Sequence, residues 1–457
     1  MKDLTQGPVV KHLLGLTAFM LVGLTVQTAY SLIDLYWVGS LGPQAVAAVT
    51  VASNLMFLAM ALSQMFGVGT GALIAQAVGA KDHEGAHHVF NQAMGIALLT
   101  TVLFAAALWA GEGAYGAAFS ADAETARLVA SYLHWFVPAM ALGFPVMVMG
   151  AALRGTGDMM PGTVAQVGSV LLNMVLAPVL IFGWLGAPKL GVAGAGLATL
   201  ISVVACTVGL LLYFRRPGTY LKLRPREWTP QPVAWGRILK IGVPSALEFG
   251  LMACYMIFIT VMLRPYGAVE QAAFGIGQRL LQASMLPVMA LSFAASALAG
   301  QNFGAQRGDR VRETFTVTLK LGLAAMIPLC LVAQAIPGAL IHGFSDDPAV
   351  LAAGTQFLRI ISLNLLAVGV AFACFGVLSG LGNTIPTLIS SASRIGLIIF
   401  GSLLLVRLGS FEVIWLWWLS VTATVVQMLM NLYFLRRELR RKLGFVALPG
   451  ESIPAAG

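Results

Sequence analysis

The chain has 457 residues, of which 58% are hydrophobic and only 10% charged. A water-soluble domain carries roughly 25% charged residues, so this composition excludes a protein whose surface mostly faces water. The net charge of +9 does not point to nucleic acid as a partner, because the basic residues gather between apolar runs, as in the cytoplasmic loops of membrane proteins.

The apolar runs are each long enough to cross a bilayer of about 30 Å. Taken in chain order they predict twelve helices, at 14–38, 46–78, 89–111, 126–151, 160–183 and 190–214, then 241–263, 270–300, 314–336, 350–378, 385–407 and 412–435. The expected fold class is an all-α polytopic membrane protein in contact with the lipid bilayer. Lys2 and Lys11 precede the first run without a small-residue cleavage site, so that run reads as a span and not as a signal peptide. Residues 83–87 spell His-Glu-Gly-Ala-His, the spacing of a zinc hydrolase motif. Gly85 interrupts it and it falls between predicted spans 2 and 3, so it reads as a charged loop. The runs GVGTG (67–71) and GVAGAG (191–196) lack the lysine and the strand-to-helix setting of a phosphate loop; small residues at this spacing let helices pack closely. Cys206, Cys254, Cys330 and Cys374 all lie inside apolar runs and read as packing residues.

Basic residues set the expected orientation. The termini and even-numbered loops carry Lys2, Lys11, Lys81, Arg154, Arg307, Arg310 and Arg312, and the tail adds Arg436, Arg437, Arg440, Arg441 and Lys442. The opposite loops are poor in Lys and Arg, which places both ends in the cytoplasm of a bacterial inner membrane. The basic stretch 215–240 separates a first lobe, 1–214, from a second, 241–435, and a cytoplasmic tail follows at 436–457.

The two lobes repeat at a constant offset of 225 residues. Gly42 meets Gly267, Gln76 meets Gln301, and Gly79–Ala80 meet Gly304–Ala305. Phe119-Ser120-Ala121-Asp122 meets Phe344-Ser345-Asp346-Asp347, and Leu153, Gly155, Gly157 and Pro161 meet Leu378, Gly380, Gly382 and Pro386. Six helices per lobe is an even number, so both lobes enter the membrane alike. The result is a parallel repeat with a pseudo-twofold axis along the membrane normal, an architecture of secondary transporters.

The stretches YSLIDLYWVGSLG (30–42), LRGTGDMMP (153–161), LLNMVLAPVLIFG (171–183), GVAGAGLAT (191–199) and LAGQNFGAQRGDRVRE (298–313) resemble the multidrug and toxin extrusion (MATE) family, in its DinF-like branch. The resemblance covers nearly the whole chain. It implies cation-coupled efflux of organic cations and other amphipathic compounds from the cytoplasm. A functional monomer with no cofactor or resident metal is expected, and protons are expected ahead of sodium as the coupling ion because of the departure at Ala177 described below. The resemblance also implies a transporter and not an enzyme.

Candidate site residues follow. Asp34 is an acid in the first span with Tyr30 one turn away on the same face; a carboxylate at a helix centre costs about 2.5–3.5 kcal/mol on insertion scales, so it reads as the ion-coupling group. Asn173 matches a polar position near that acid in the family. Where DinF-like relatives carry a second Asp, four residues on, this chain has Ala177, which removes an oxygen ligand that sodium would use. Phe19 stands where the family often has a helix-bending proline, and Pro244 holds the corresponding place in the second lobe. Glu248, Arg279 and Arg394 are charges inside spans of the second lobe and are expected to form a second polar centre there. Alternatives outside drug efflux are a lipid-linked precursor flippase, which would need more intramembrane arginines than Arg279 and Arg394, and a membrane-embedded transferase, for which the only adjacent acids are Asp346–Asp347.

Overall fold

The computed structural model describes residues 2–120, 122–409 and 412–443, with the side chains at 31, 32, 34 and 35 lying outside the described set. Its helices are α1 (Val9–Gly39), α2 (Pro43–Gly79), α3 (His83–Phe119), α4 (Ala123–Gly155), α5 (Met160–Phe182), α6 (Val192–Arg215), α7 (Pro232–Leu263), α8 (Ala268–Gly304), α9 (Gly308–Ala335), α10 (Pro337–His342), α11 (Pro348–Ile361), α12 (Asn364–Gly380), α13 (Ile385–Arg407) and α14 (Val413–Lys442). Among the described residues eleven are long and apolar enough to cross a membrane, and the bent pair α11–α12, counted as one span, brings the number to twelve. No strand occurs among the described residues.

The helices run past the apolar windows that predict them. α2, α3 and α8 each have 37 residues, about 55 Å at 1.5 Å per residue, so their polar ends extend beyond the hydrocarbon layer. The His-Glu-Gly-Ala-His stretch is therefore corrected from loop to helix: it forms the first turn of α3, capped by Asp82, whose side chain accepts from the Gly85 N–H. Predicted span 10 is corrected from one helix to two, which meet at a 45° bend. Gln334 donates from Nε2 to the Arg359 carbonyl at 2.5 Å and to the Ser362 hydroxyl at 2.8 Å, so a neighbouring side chain satisfies the backbone that the break exposes.

Chain punctuation at the 225-residue offset turns out to be capping chemistry. Gly42 (φ 107°) and Gly267 (φ 90°) precede α2 and α8 in a backbone region that side-chain-bearing residues rarely adopt. Asp122 caps α4 through the Thr125 N–H, and Asp347 caps α11 through the Ala349 N–H, both at 2.8 Å. The Thr125 backbone and hydroxyl donors hold the Asp122 carboxyl below its usual range.

The chain divides into two compact units, one made of Met1–Asp3 and Ala18–Ala246, the other of Leu4–Thr17 and Leu247–Gly457. The first turns of α1 thus belong to the second unit, and the first turns of α7 to the first. In the first unit α7 crosses α2 at glycines: a Cβ on Gly242 would lie 2.0 Å from the Met65 carbonyl oxygen, and one on Gly69 would lie 2.4 Å from that of Ile238. We expect Gly242→Ala to destabilise the protein by about 1–3 kcal/mol or more, although alanine favours a helix. Gly250→Ala, in open space on the same helix, should not. Thermal unfolding of the two variants in detergent compares them directly, and equal melting temperatures would remove this contact as a constraint.

In the second unit Leu4 is fully buried, with its N–H on Gln301 Oε1 at 3.0 Å and its carbonyl accepting from Asn302 and Arg310. Of the three tryptophans that open α14, Trp415 and Trp418 are exposed as an interfacial belt would have them. Trp417 instead is 2% exposed and packs between Phe274 and Phe357, as part of that unit's core.

Candidate transport site

In the first unit three helices each carry polar residues on a stripe at helical spacing. α1 carries Gln27 and Tyr30, α5 carries Gln166, Ser169 and Asn173, and α6 carries Thr199 and Ser202. Thr199 is the meeting point. Its hydroxyl lies 3.3 Å from the Tyr30 hydroxyl and accepts from Asn173 Nδ2 at 3.2 Å, while donating to the Ala195 carbonyl at 3.1 Å. Ser169 donates to the Ser202 carbonyl at 2.7 Å, and the amides of Gln166 and Gln27 stand 3.5 Å apart.

Asn173 is 3% exposed, and its Oδ1 has no hydrogen-bond partner among the described residues. An unmet acceptor at such a depth costs about 1–3 kcal/mol and marks a place where a donor or a cation can be received. Ala177, one turn on, is 1% exposed and supplies no oxygen there. Asp34 lies in α1 at the position one turn beyond Tyr30; its side chain is outside the described residues.

A related centre lies in the second unit. Ser391 of α13 donates to Glu248 Oε1 at 2.6 Å and accepts from Gln427 Nε2 of α14 at 2.9 Å. The Arg394 guanidinium sits 5.3 Å from the centre of the Tyr255 ring, within electrostatic reach of Glu248. Arg279 of α8 is exposed, and no contact of the described residues joins it to Glu248 or Arg394. The expected trio is therefore a pair, with Ser391, Gln427 and Tyr255 as members that the sequence reading does not single out.

The two centres correspond at the 225-residue offset. Tyr30 answers to Tyr255, Gln166 to Ser391, Ser169 to Arg394, Thr199 to Thr424 and Ser202 to Gln427. Gly23 answers to Glu248, and a Cβ on Gly23 would lie 3.0 Å from Gln166 Oε1, so the α1–α5 approach repeats the Glu248–Ser391 pairing. Asp34 answers to Ile259, which is fully buried in an apolar core. Each unit thus holds one polar centre on the same scaffold, and the charges are placed differently on each. Among the described residues no group of three or more His, Cys, Asp and Glu side chains comes together in a way that could hold a metal ion.

Comparison with known proteins agrees with this scaffold. The chain is 28% identical over 446 residues to the multidrug export protein MepA of Staphylococcus aureus strain N315, covering 95% of this chain and 96% of that protein. The MepA of Staphylococcus haemolyticus is 25% identical over 440 residues, with 95% of each chain covered. Solved structures share the fold: a MATE transporter in a straight conformation superposes with a TM-score of 0.89 at 23% identity, covering 97% of this chain and 99% of the other. An outward-facing multidrug resistance MATE family transporter gives 0.88 at 23% identity, over 98% and 99%. The MatE family profile matches residues 20–179 and 244–404, which take in the α1, α5, α7 and α13 members of the two polar centres and stop short of α6 and α14. A polytopic membrane chain in which the family profile falls once on each half of a repeat belongs to the MatE family of transporters.

Proposed function

We propose that the protein is a secondary active exporter that moves cationic and amphipathic small molecules out of the cytoplasm in exchange for protons. The observation that carries this reading is the polar stripe on α1, α5 and α6, with the unmet Oδ1 of buried Asn173 on helices whose only acid is Asp34. A carboxyl group that can hold either a proton or a substrate cation makes the two mutually unfavourable, and that coupling is reciprocal. Two MepA relatives bear the name of multidrug exporters, which supports the substrate class.

Protons are favoured over sodium as the coupling ion because sodium prefers several hard oxygen ligands, and Ala177 offers none. Tyr30 and Asn173 position the first centre, while Glu248 and Arg394 provide the second. The parallel repeat supports alternating access, and the Lys and Arg distribution supports cytoplasmic termini in an inner membrane. A monomer already contains both centres.

Everted membrane vesicles test the coupling ion. Uptake of a fluorescent cation, driven by an acid lumen, should stop when the pH gradient is collapsed in sodium-free medium. An imposed sodium gradient at equal pH should drive none. Uptake that follows sodium and ignores pH would sink the proton assignment, and a chain that moves no cation under either gradient would sink the export reading itself.

A further inference from the structure

We infer that the basic segment 215–240 of the first unit is a docking surface for anionic phospholipid headgroups, which hold this linker against the bilayer. Residues 215–240 carry seven Lys and Arg and a single acid, Glu227. Arg224 is taken up within the fold, pairing with Glu84 at 2.8 Å and with Glu227 at 3.1 Å. Arg215, Arg216, Lys222, Arg226, Arg237 and Lys240 are exposed, and none of the six enters an ion pair among the described residues.

The backbone that carries these side chains is fixed at the depth of the headgroups. α3 is buried throughout 89–97, where Asn91 and Gln92 hold the linker by hydrogen bonds. The Trp228 carbonyl comes so near Gly95 that a Cβ there would lie 2.7 Å from its oxygen. Four residues on, about 6 Å along the helix, an exposed apolar stripe starts at Leu99 and continues through Val102 and Leu103. The headgroup layer on each side of a bilayer is about 5–8 Å thick, so a linker one turn from that stripe lies at its level. Leu212 before the linker and Val233 after it are 56% and 80% exposed, apolar groups that suit a lipid surface better than a nucleic acid.

Charge complementarity identifies the lipid class. Lys and Arg beside a membrane attract anionic headgroups, about fivefold in association for each residue near the surface, and a guanidinium takes phosphate in paired hydrogen bonds. The repeat shows that the scaffold does not require these cations. Arg237 and Lys240 of α7 answer to His12 and Gly15 of α1, which is helical there without them. Lys222 and Arg226 answer to Ala447 and Glu451. Of the six, only the pair at the end of α6, Arg215 and Arg216, is repeated, as Arg440 and Arg441.

A local fluorescence probe provides the test. Thr229 is exposed, and Thr229→Cys carries the fluorophore in a Cys254→Ser background, the other three cysteines being buried. The full-length protein is placed in phosphatidylcholine nanodiscs with a trace of phosphatidylglycerol or phosphatidylcholine that bears a quenching spin label near its headgroup. The ratio of the two quenching efficiencies reads the anionic lipid gathered beside the linker. It should be at least about fivefold and should fall towards one in 1 M salt, where the screening length is about 3 Å. Replacing Lys222, Arg226, Arg237 and Lys240 together by glutamine should bring the ratio close to one at an unchanged melting temperature. The same replacement of Arg436, Arg437, Arg440 and Arg441 removes equal charge from the second unit and should leave it as it was.

Equal quenching by the two lipids in the unsubstituted linker would overturn the inference, and quenching by neither would place the linker away from the bilayer with the same result. An equal fall in both glutamine variants would reduce the effect to net charge and leave no docking surface. A fluorescent oligouridylate that binds the protein at 0.15 M salt and is not displaced by phosphatidylglycerol would assign the surface to another polyanion, which also overturns it. No transport enters these readings, so their failure and the failure of the export reading are distinguishable.

Discussion

Uphill export of a cationic dye is expected to fall at least about tenfold when Asp34 is replaced by asparagine, with no loss of folded protein. The substitution keeps size and removes the charge, and a carboxylate inside the bilayer is costly, up to about 2.5–3.5 kcal/mol at a helix centre on insertion scales, with Asp34 in the last turns of α1. Asparagine should therefore enter the membrane at least as readily. No other acid occurs in α1, α5 or α6, so nothing in those helices can replace it.

The sign of the pH effect follows from the same coupling. In the wild type a rise in pH removes the proton and leaves a carboxylate, so affinity for a cation increases. In Asp34→Asn that dependence should flatten, and Asp34→Glu should retain part of it. Ile259, fully buried at the corresponding position of the second unit, shows that the scaffold packs well with an apolar residue there. A structural demand is thus a poor explanation for the acid. Asp34→Asn protein that exports dye at the wild-type rate would take Asp34 out of the mechanism.

Much of the fold was legible because the marks that repeat are the ones helix ends need. Gly42 and Gly267 hold a positive φ, and Asp122 and Asp347 cap the following helices, so polar punctuation survives where apolar sequence drifts. Helix ends were less legible, since turns such as His83–His87 and Lys442 lie outside the apolar window yet continue the hydrogen-bond ladder. The bend between α11 and α12 depends on Gln334 reaching from another helix, a contact no local pattern encodes.

The sites were legible in part. Tyr30 stood out through its spacing from Asp34 and Asn173 through family resemblance, but Thr199, which joins them, is one hydroxyl among many in apolar helices. The same holds for Ser391 and Gln427 around Glu248. A signal was available: sliding the polar residues of the spans by 225 pairs Tyr30 with Tyr255 and Gln166 with Ser391, and both pairs fall in the two centres. Arg279 shows the limit of depth-based reasoning. It lies inside a span, but the direction a residue faces around its helix is fixed only by packing, and it is exposed.

Removing the Asn91 side chain is expected to free the basic linker that joins the two halves. Asn91 is fully buried in α3. Its Oδ1 accepts from the Arg224 N–H at 2.7 Å and from Trp228 Nε1 at 3.1 Å, and its Nδ2 donates to the Lys222 carbonyl at 3.1 Å. Gln92, beside it, donates to the Glu227 and Thr229 carbonyls and accepts from the Gln231 N–H. Two adjacent amides thus satisfy six groups of a segment whose own ladder is a single 3-10 turn at Pro225–Glu227. Thr316 and Val317 stand at the matching places in the second half.

Asn91→Ala leaves three of those groups without their partner, each worth about 1–3 kcal/mol when buried, with water repairing part of the loss. A local loss of about 3 kcal/mol raises the open population roughly a hundredfold, and Lys222 and Arg226, neither followed by proline, make the linker a substrate for trypsin. Native-state tryptic cleavage within 215–231 should therefore accelerate by about ten- to a hundredfold, with the helices themselves still protected. Glu84→Gln removes only the exposed carboxylate that pairs with Arg224, so it should change cleavage far less and lose its effect in high salt. If Asn91→Ala is cut no faster than the wild type, the linker is held by apolar contacts and not by this amide pair.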